Sequence, residues 1–121
     1  MIHHELMKND AILIVTPKNK LESQDFDNLA KEVDPYLEDR GGLKGLMIYT
    51  ESFPGWSDFA ALISHLKFVK NHHQKIARIA AVTDGRIVSI LPRIADHFVD
   101  AEVKHFEYKD NASALEWLKG N

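Results

Sequence analysis

Seven histidines, a set of scattered serines and a few carboxylates near element ends are the residues of this chain with catalytic or ligating chemistry. Spacing decides how far each goes. His3 and His4 are adjacent on an extended stretch and project to opposite faces, so they do not converge on one ion. His65 and His72 share a helical face two turns apart, too far for a common ligand shell, and no acidic residue completes a His-Glu-x-x-His pattern. No metal site is expected. The serines, Ser23, Ser52, Ser57, Ser64, Ser89 and Ser113, include none in a Gly-x-Ser-x-Gly elbow. Glu51 and Asp84, both near strand ends, are the one carboxylate pair with a place in acid–base chemistry, and acids there ordinarily cap helices or solvate loops. Thr83-Asp84-Gly85-Arg86 lacks the length of a phosphate-binding loop, and Gly41-Gly42-Leu43-Lys44-Gly45 precedes a strand instead of following one. The chemistry-bearing residues thus predict neither an enzyme nor a cofactor.

The elements that position these residues are legible from punctuation and periodicity. A chain of 121 residues with 45% hydrophobic and 27% charged residues suits one domain, residues 1–121, with a core that needs no disulfide. Absence of cysteine removes thiolate zinc sites and a cysteine nucleophile and fits a cytoplasmic protein. Fifteen basic against eighteen acidic residues leave a net charge of −3, which argues against a general nucleic-acid binder. The first residues carry no signal-peptide pattern, and no apolar run has the roughly 20 residues of a membrane span.

Ile2 to Met7 and Ala11 to Val15 read as a hairpin turning at Asn9-Asp10. Phe26, Leu29, Ala30, Val33 and Leu37 recur at helical spacing from Ser23 to Asp39, where Pro35 predicts a kink, or a restart capped by Asp34. Leu46 to Thr50 and Ile76 to Val82 are compact apolar strands. Between them a helix is expected over 57–72. Arg86 to His97 reads as one helix bent at Pro92, Val103 to Tyr108 as a last strand, and Asp110 or Asn111 as the cap of a closing helix with Leu115 and Leu118 inward. The order is β-β-α-β-α-β-α-β-α, an α/β fold with a mixed, mostly parallel five-stranded sheet.

That order, with the segments AILIVTP, GLMIYTESFPGWSDFAALISHLKFVK and KIARIAAVTDGRIVSILPRIADHF, resembles the SpoIIAA-like proteins, related to STAS and CRAL-TRIO domains, over essentially the whole chain. The resemblance implies kinship with anti-anti-sigma factors and, more distantly, with lipid carriers. Anti-anti-sigma factors place a phosphorylatable serine in an Asp-Ser-Ser-Gly turn after the third strand. Here that stretch reads Tyr49-Thr50-Glu51-Ser52-Phe53-Pro54-Gly55-Trp56, without the motif.

Two functional expectations follow. In one, the chain binds an apolar or lipid-like ligand in a pocket lined by Tyr49, Phe53, Trp56, Phe59 and Ile63 on one side and Ile87, Ile90, Leu91 and Ile94 on the other, with Thr50, Ser52, Thr83 or Arg86 near a head group. Phe53, Trp56 and Phe68, flanked by Lys67 and Lys70, then form a surface that associates reversibly with a membrane, placing the protein at the inner membrane surface. In the alternative, the same patch meets a partner protein, as in a regulatory module without the phosphoserine. An outward apolar patch also serves as a homodimer seam.

Overall fold

The computed structural model describes residues 2–17, 23–40, 43–52, 76–97 and 101–120. Alternating side chains build a hairpin from β1 (Ile2–Met7) and β2 (Ile12–Pro17), with Met7 opposite Ile12 and Ile2 opposite Pro17. The turn closes through the Asp10 amide, which donates to the Met7 carbonyl at 3.1 Å. Ala11 leaves the turn at φ 55°, a left-handed conformation that costs an L-residue about 1–2 kcal/mol. Its carbonyl accepts from the amides of Lys44 at 2.8 Å and Gly45 at 3.3 Å. The chain continues through α1 (Ser23–Arg40), β3 (Leu43–Tyr49) and β4 (Ile76–Val82). A 3-10 turn at Gly85–Ile90 leads into α2 (Leu91–His97), followed by β5 (Glu102–Phe106), a 3-10 turn at Tyr108–Asp110 and α3 (Asn111–Leu118).

The strands lie in sequence order in one sheet, β1 antiparallel to β2 and β2 to β5 mutually parallel. The central strands are buried on both faces, which is why they read as continuous apolar runs instead of alternating ones. Leu13, Val15, Ile48, Ile79 and Ala81 pack under α1 with Leu29, Val33 and, from the 3-10 turn, Ile87. Ile12, Met47, Ala80 and Val82 pack on the opposite face with Ala114 and Leu118 of α3.

The described residues contain the five expected strands and three of the four expected helices; the helix expected over 57–72 lies outside them. The helix starting at Ser23 does not restart at Asp34. It runs through Pro35 to Arg40, held by buried Leu29 and Val33, while Pro35 and Lys31, whose carbonyl loses its donor, are on the exposed side. The helix expected over 86–97 is instead two elements. Pro92 becomes the second residue of α2, where a missing amide leaves no helical bond unmade, and the six residues before α2, Gly85–Ile90, wind as 3-10. The last strand ends at Phe106, so Tyr108 belongs to a 3-10 turn; Asp110 precedes α3 without a side-chain capping bond.

Helix α3 approaches β3 closely because residue 45 has no side chain. A Cβ at Gly45 would sit 2.8 Å from Leu118 Cδ2 and 3.0 Å from Leu118 Cβ. Gly45→Ala is therefore expected to destabilise the fold by about 1–3 kcal/mol through overpacking, and Leu118→Ala by about 2–5 kcal/mol through a cavity. Urea unfolding of both variants and of the double variant tests the contact: the double should lose clearly less than the sum. Additive losses would mean that the two residues do not press on one another.

Candidate functional site

Helix α3 is anchored at its C-terminal end. Leu118 is buried over Gly45, and the Arg78 guanidinium lies 5.2 Å from the Trp117 ring centroid while donating to the Trp117 carbonyl. Lys104 sits over Phe106 and Trp117 at 5.1 and 5.8 Å, and Phe106 packs against Trp117 with centroids 5.8 Å apart. The helix ends at Leu118 and is followed by Gly120, whose φ of 85° suits glycine, and Lys119 reaches Asp10 of the hairpin turn at 4.0 Å. So held, α3 covers β3, β4 and, at Ile12, the start of β2, and leaves β1 and the rest of β2 open on that face among the described residues.

The uncovered face is a groove of about 480 Å³. Ile14 and Met47 form an apolar floor, with Leu115 and Ala112 of α3 as one wall. His3 and Glu5, two apart on β1 and so on the same face, form the other wall with Thr16; Tyr49 and Asn111 complete the rim. His4 borders the groove too, although its ring is paired with Glu32 of α1. Met47 is buried, Ile14, Thr16, Tyr49 and Leu115 are half-buried, and His3, Glu5 and Asn111 are exposed. A small apolar base inside a polar rim can seat an apolar side chain and bond the backbone around it.

Tyr49 stacks on Tyr108 at the end of the groove, with ring centroids 4.8 Å apart and planes 10° from parallel. Tyr108 is 39% exposed. Its hydrogen bond with Tyr49, the electrostatic influence of Tyr49, partial desolvation and the charge of Glu51 hold its pKa above the ordinary 10.0. Beside this pair, the Thr50 hydroxyl lies 3.3 Å from the Pro17 carbonyl and 3.2 Å from the Ser52 carbonyl, so it ties down the chain leaving β3. His105 Nε2 donates to the Thr83 carbonyl at 3.0 Å, while the buried Thr83 hydroxyl makes no hydrogen bond among the described residues.

The sheet separates the residues expected to line one pocket. Tyr49 faces the groove, whereas Ile87 is fully buried and Ile90 and Leu91 pack against the core on the α1 side. The backbone of Ile94 belongs to α2, but its side chain lies outside the description. Phe53, Trp56, Phe59, Ile63, Lys67, Phe68 and Lys70 lie outside the described residues. Glu51 is exposed and acts on Tyr108, and Asp84 offers its carbonyl to the Ile87 amide at 3.4 Å. Among the described residues no three His, Asp or Glu side chains gather as metal ligands, and no helix is long and apolar enough to cross a membrane.

Sequence reasoning missed the groove, though a signal for it existed. An eight-residue helix is ~12 Å long, and five strands span ~19 Å; α3 cannot cover its face of the sheet. His3, Glu5 and Thr16 then follow from alternation.

The tyrosine pair supplies a titration test. A raised pKa means that folding favours the neutral phenol, so this stabilisation is complete below the unfolded value and is lost as pH rises through the folded one. Phenolate absorbance should show Tyr108 ionising above 10.0, and Tyr49→Phe should move that step down. An unchanged step in Tyr49→Phe would remove Tyr49 as the main cause.

No curated protein and no solved structure matches the chain. The model of one family, described as SpoIIAA-like, matches residues 12–119, a span that runs from β2 through α3 and takes in the groove's floor and its helical wall. With that match and the mixed five-stranded sheet it covers, the chain belongs to the SpoIIAA-like family.

Proposed function

We propose that this chain is a non-enzymatic regulatory module of STAS type that works by binding a partner protein. Membership of the SpoIIAA-like family over 12–119 is the observation that carries the reading. The groove is consistent with it: its apolar floor is shallow in side-chain terms, one methionine and one isoleucine, and its rim offers donors and acceptors on four elements. Control by serine phosphorylation is not part of the proposal. The turn after β3 reads Thr50-Glu51-Ser52, without the Asp-Ser-Ser-Gly pattern, and the Ser52 carbonyl serves Thr50.

The apolar-ligand and membrane reading has less behind it. Of its lining, Ile87 is core and Tyr49 belongs to the other face, and its membrane surface rests on Phe53, Trp56, Lys67, Phe68 and Lys70, outside the described residues.

Affinity capture from cell extract, followed by calorimetry with the purified captured protein, tests the choice. Thr16→Arg and Leu115→Glu, which fill and charge the groove, should weaken binding at least tenfold, about 1.4 kcal/mol. Co-sedimentation with anionic vesicles should stay at background. Vesicle binding by the parent chain, with no protein partner found, would reverse the order of the two readings.

A further inference from the structure

We propose that β1 pairs edge to edge, antiparallel, with β1 of a second copy of this chain, making one continuous sheet across a two-fold axis. β1 ends the sheet and bonds only to β2 among the described residues. The opposite end, β5, is shorter and carries Glu102 and exposed Lys104, charged residues that discourage edge pairing. β1 contains neither lysine nor proline.

Its sequence is complementary to itself in one register. A two-fold axis perpendicular to the sheet keeps each face continuous, so opposed residues must be an even number apart. Centred on His4, pairing sets His3 against the second copy's Glu5, and Glu5 against its His3, on the groove face. On the other face Ile2 meets the second copy's Leu6, and Leu6 its Ile2; both residues already pack against the α1-side core. An imidazole therefore meets a carboxylate on one face, a hydrogen-bonding pair, and apolar side chains meet on the other. Centring on Glu5 would instead oppose Glu5 to itself and His4 to Leu6. At the favoured centre the two His4 residues meet on the axis, each ring turned to Glu32 of its own α1.

Two six-residue strands make a contact smaller than the ~1,200–2,000 Å² of a standard interface, so the dimer is a weak, reversible one. The pairing reaches beyond the partner-protein reading, because His3 and Glu5 also rim the groove and the dimer would join two grooves across the axis. The two proposals fail separately, one by self-association and the other by partner binding.

Sedimentation equilibrium of the full chain over micromolar to millimolar concentrations should show a monomer–dimer equilibrium. His3→Glu, which creates two like-charge oppositions, should weaken it about tenfold, and adding Glu5→Lys should restore it; circular dichroism and Tm verify that these exposed substitutions leave the fold intact. The chain has no cysteine, so His4→Cys should give a disulfide-linked dimer on mild oxidation and Glu5→Cys should not. A monomer throughout, a dimer indifferent to His3→Glu, or equal cross-linking from both cysteines would overturn the proposal.

Discussion

The contact between Leu118 and Gly45 is the constraint on which the rest of the α3 face depends. Without a Cβ on residue 45, helix and strand approach until Leu118 lies fully buried against the β3 backbone. The Arg78 guanidinium then reaches both the ring and the carbonyl of Trp117, and Phe106 closes beside it. A short helix fixed this firmly at one end has no freedom to slide toward β1. Its first turn consequently stands at the boundary between covered and uncovered sheet, and that boundary is the groove.

The two faces are asymmetric for a topological reason. Both crossovers within the described residues, α1 and the segment 85–97, pack on the same side, as right-handed connections between neighbouring strands laid down in one direction must. Among the described residues the other side has only the closing helix. Among the described residues most of the core therefore lies on the α1 face, and on the other face polar residues of β1 stand at the margin of the groove. The family match begins at Ile12, so the groove's floor belongs to the matched span and the His3–Glu5 margin lies before it.

Much of the fold was legible in the sequence where one physical signal dominated. Ile76–Val82 is an uninterrupted apolar run, and its bounds agree with β4; the hairpin and α1 follow from alternation and helical spacing. Proline was read less well. A proline signals a lost hydrogen bond but not where the chain absorbs it: Pro35 is tolerated inside a helix on its solvent side, and Pro92 falls in a first turn. The site was harder still, because a groove is a shortage of cover. Tyr49 lines the groove while Ile87, Ile90 and Leu91, expected beside it, pack on the α1 side, because one-dimensional spacing does not say which face of the sheet a crossover occupies. The stack of Tyr49 on Tyr108 depends on a 3-10 turn that periodicity reads as the end of a strand.

The left-handed Ala11 bears on how this protein folds. A hairpin closed by a short turn forms from residues close in sequence and is ordinarily among the fastest events in a folding reaction. Here its exit residue is held in a conformation unfavourable for alanine, and the Ala11 carbonyl finds its partners in the amides of Lys44 and Gly45, more than thirty residues along the chain. The hairpin alone bears the conformational cost without those hydrogen bonds. Its stability is therefore borrowed from a nonlocal strand, and the amino-terminal hairpin and β3 should gain protection in a single cooperative step.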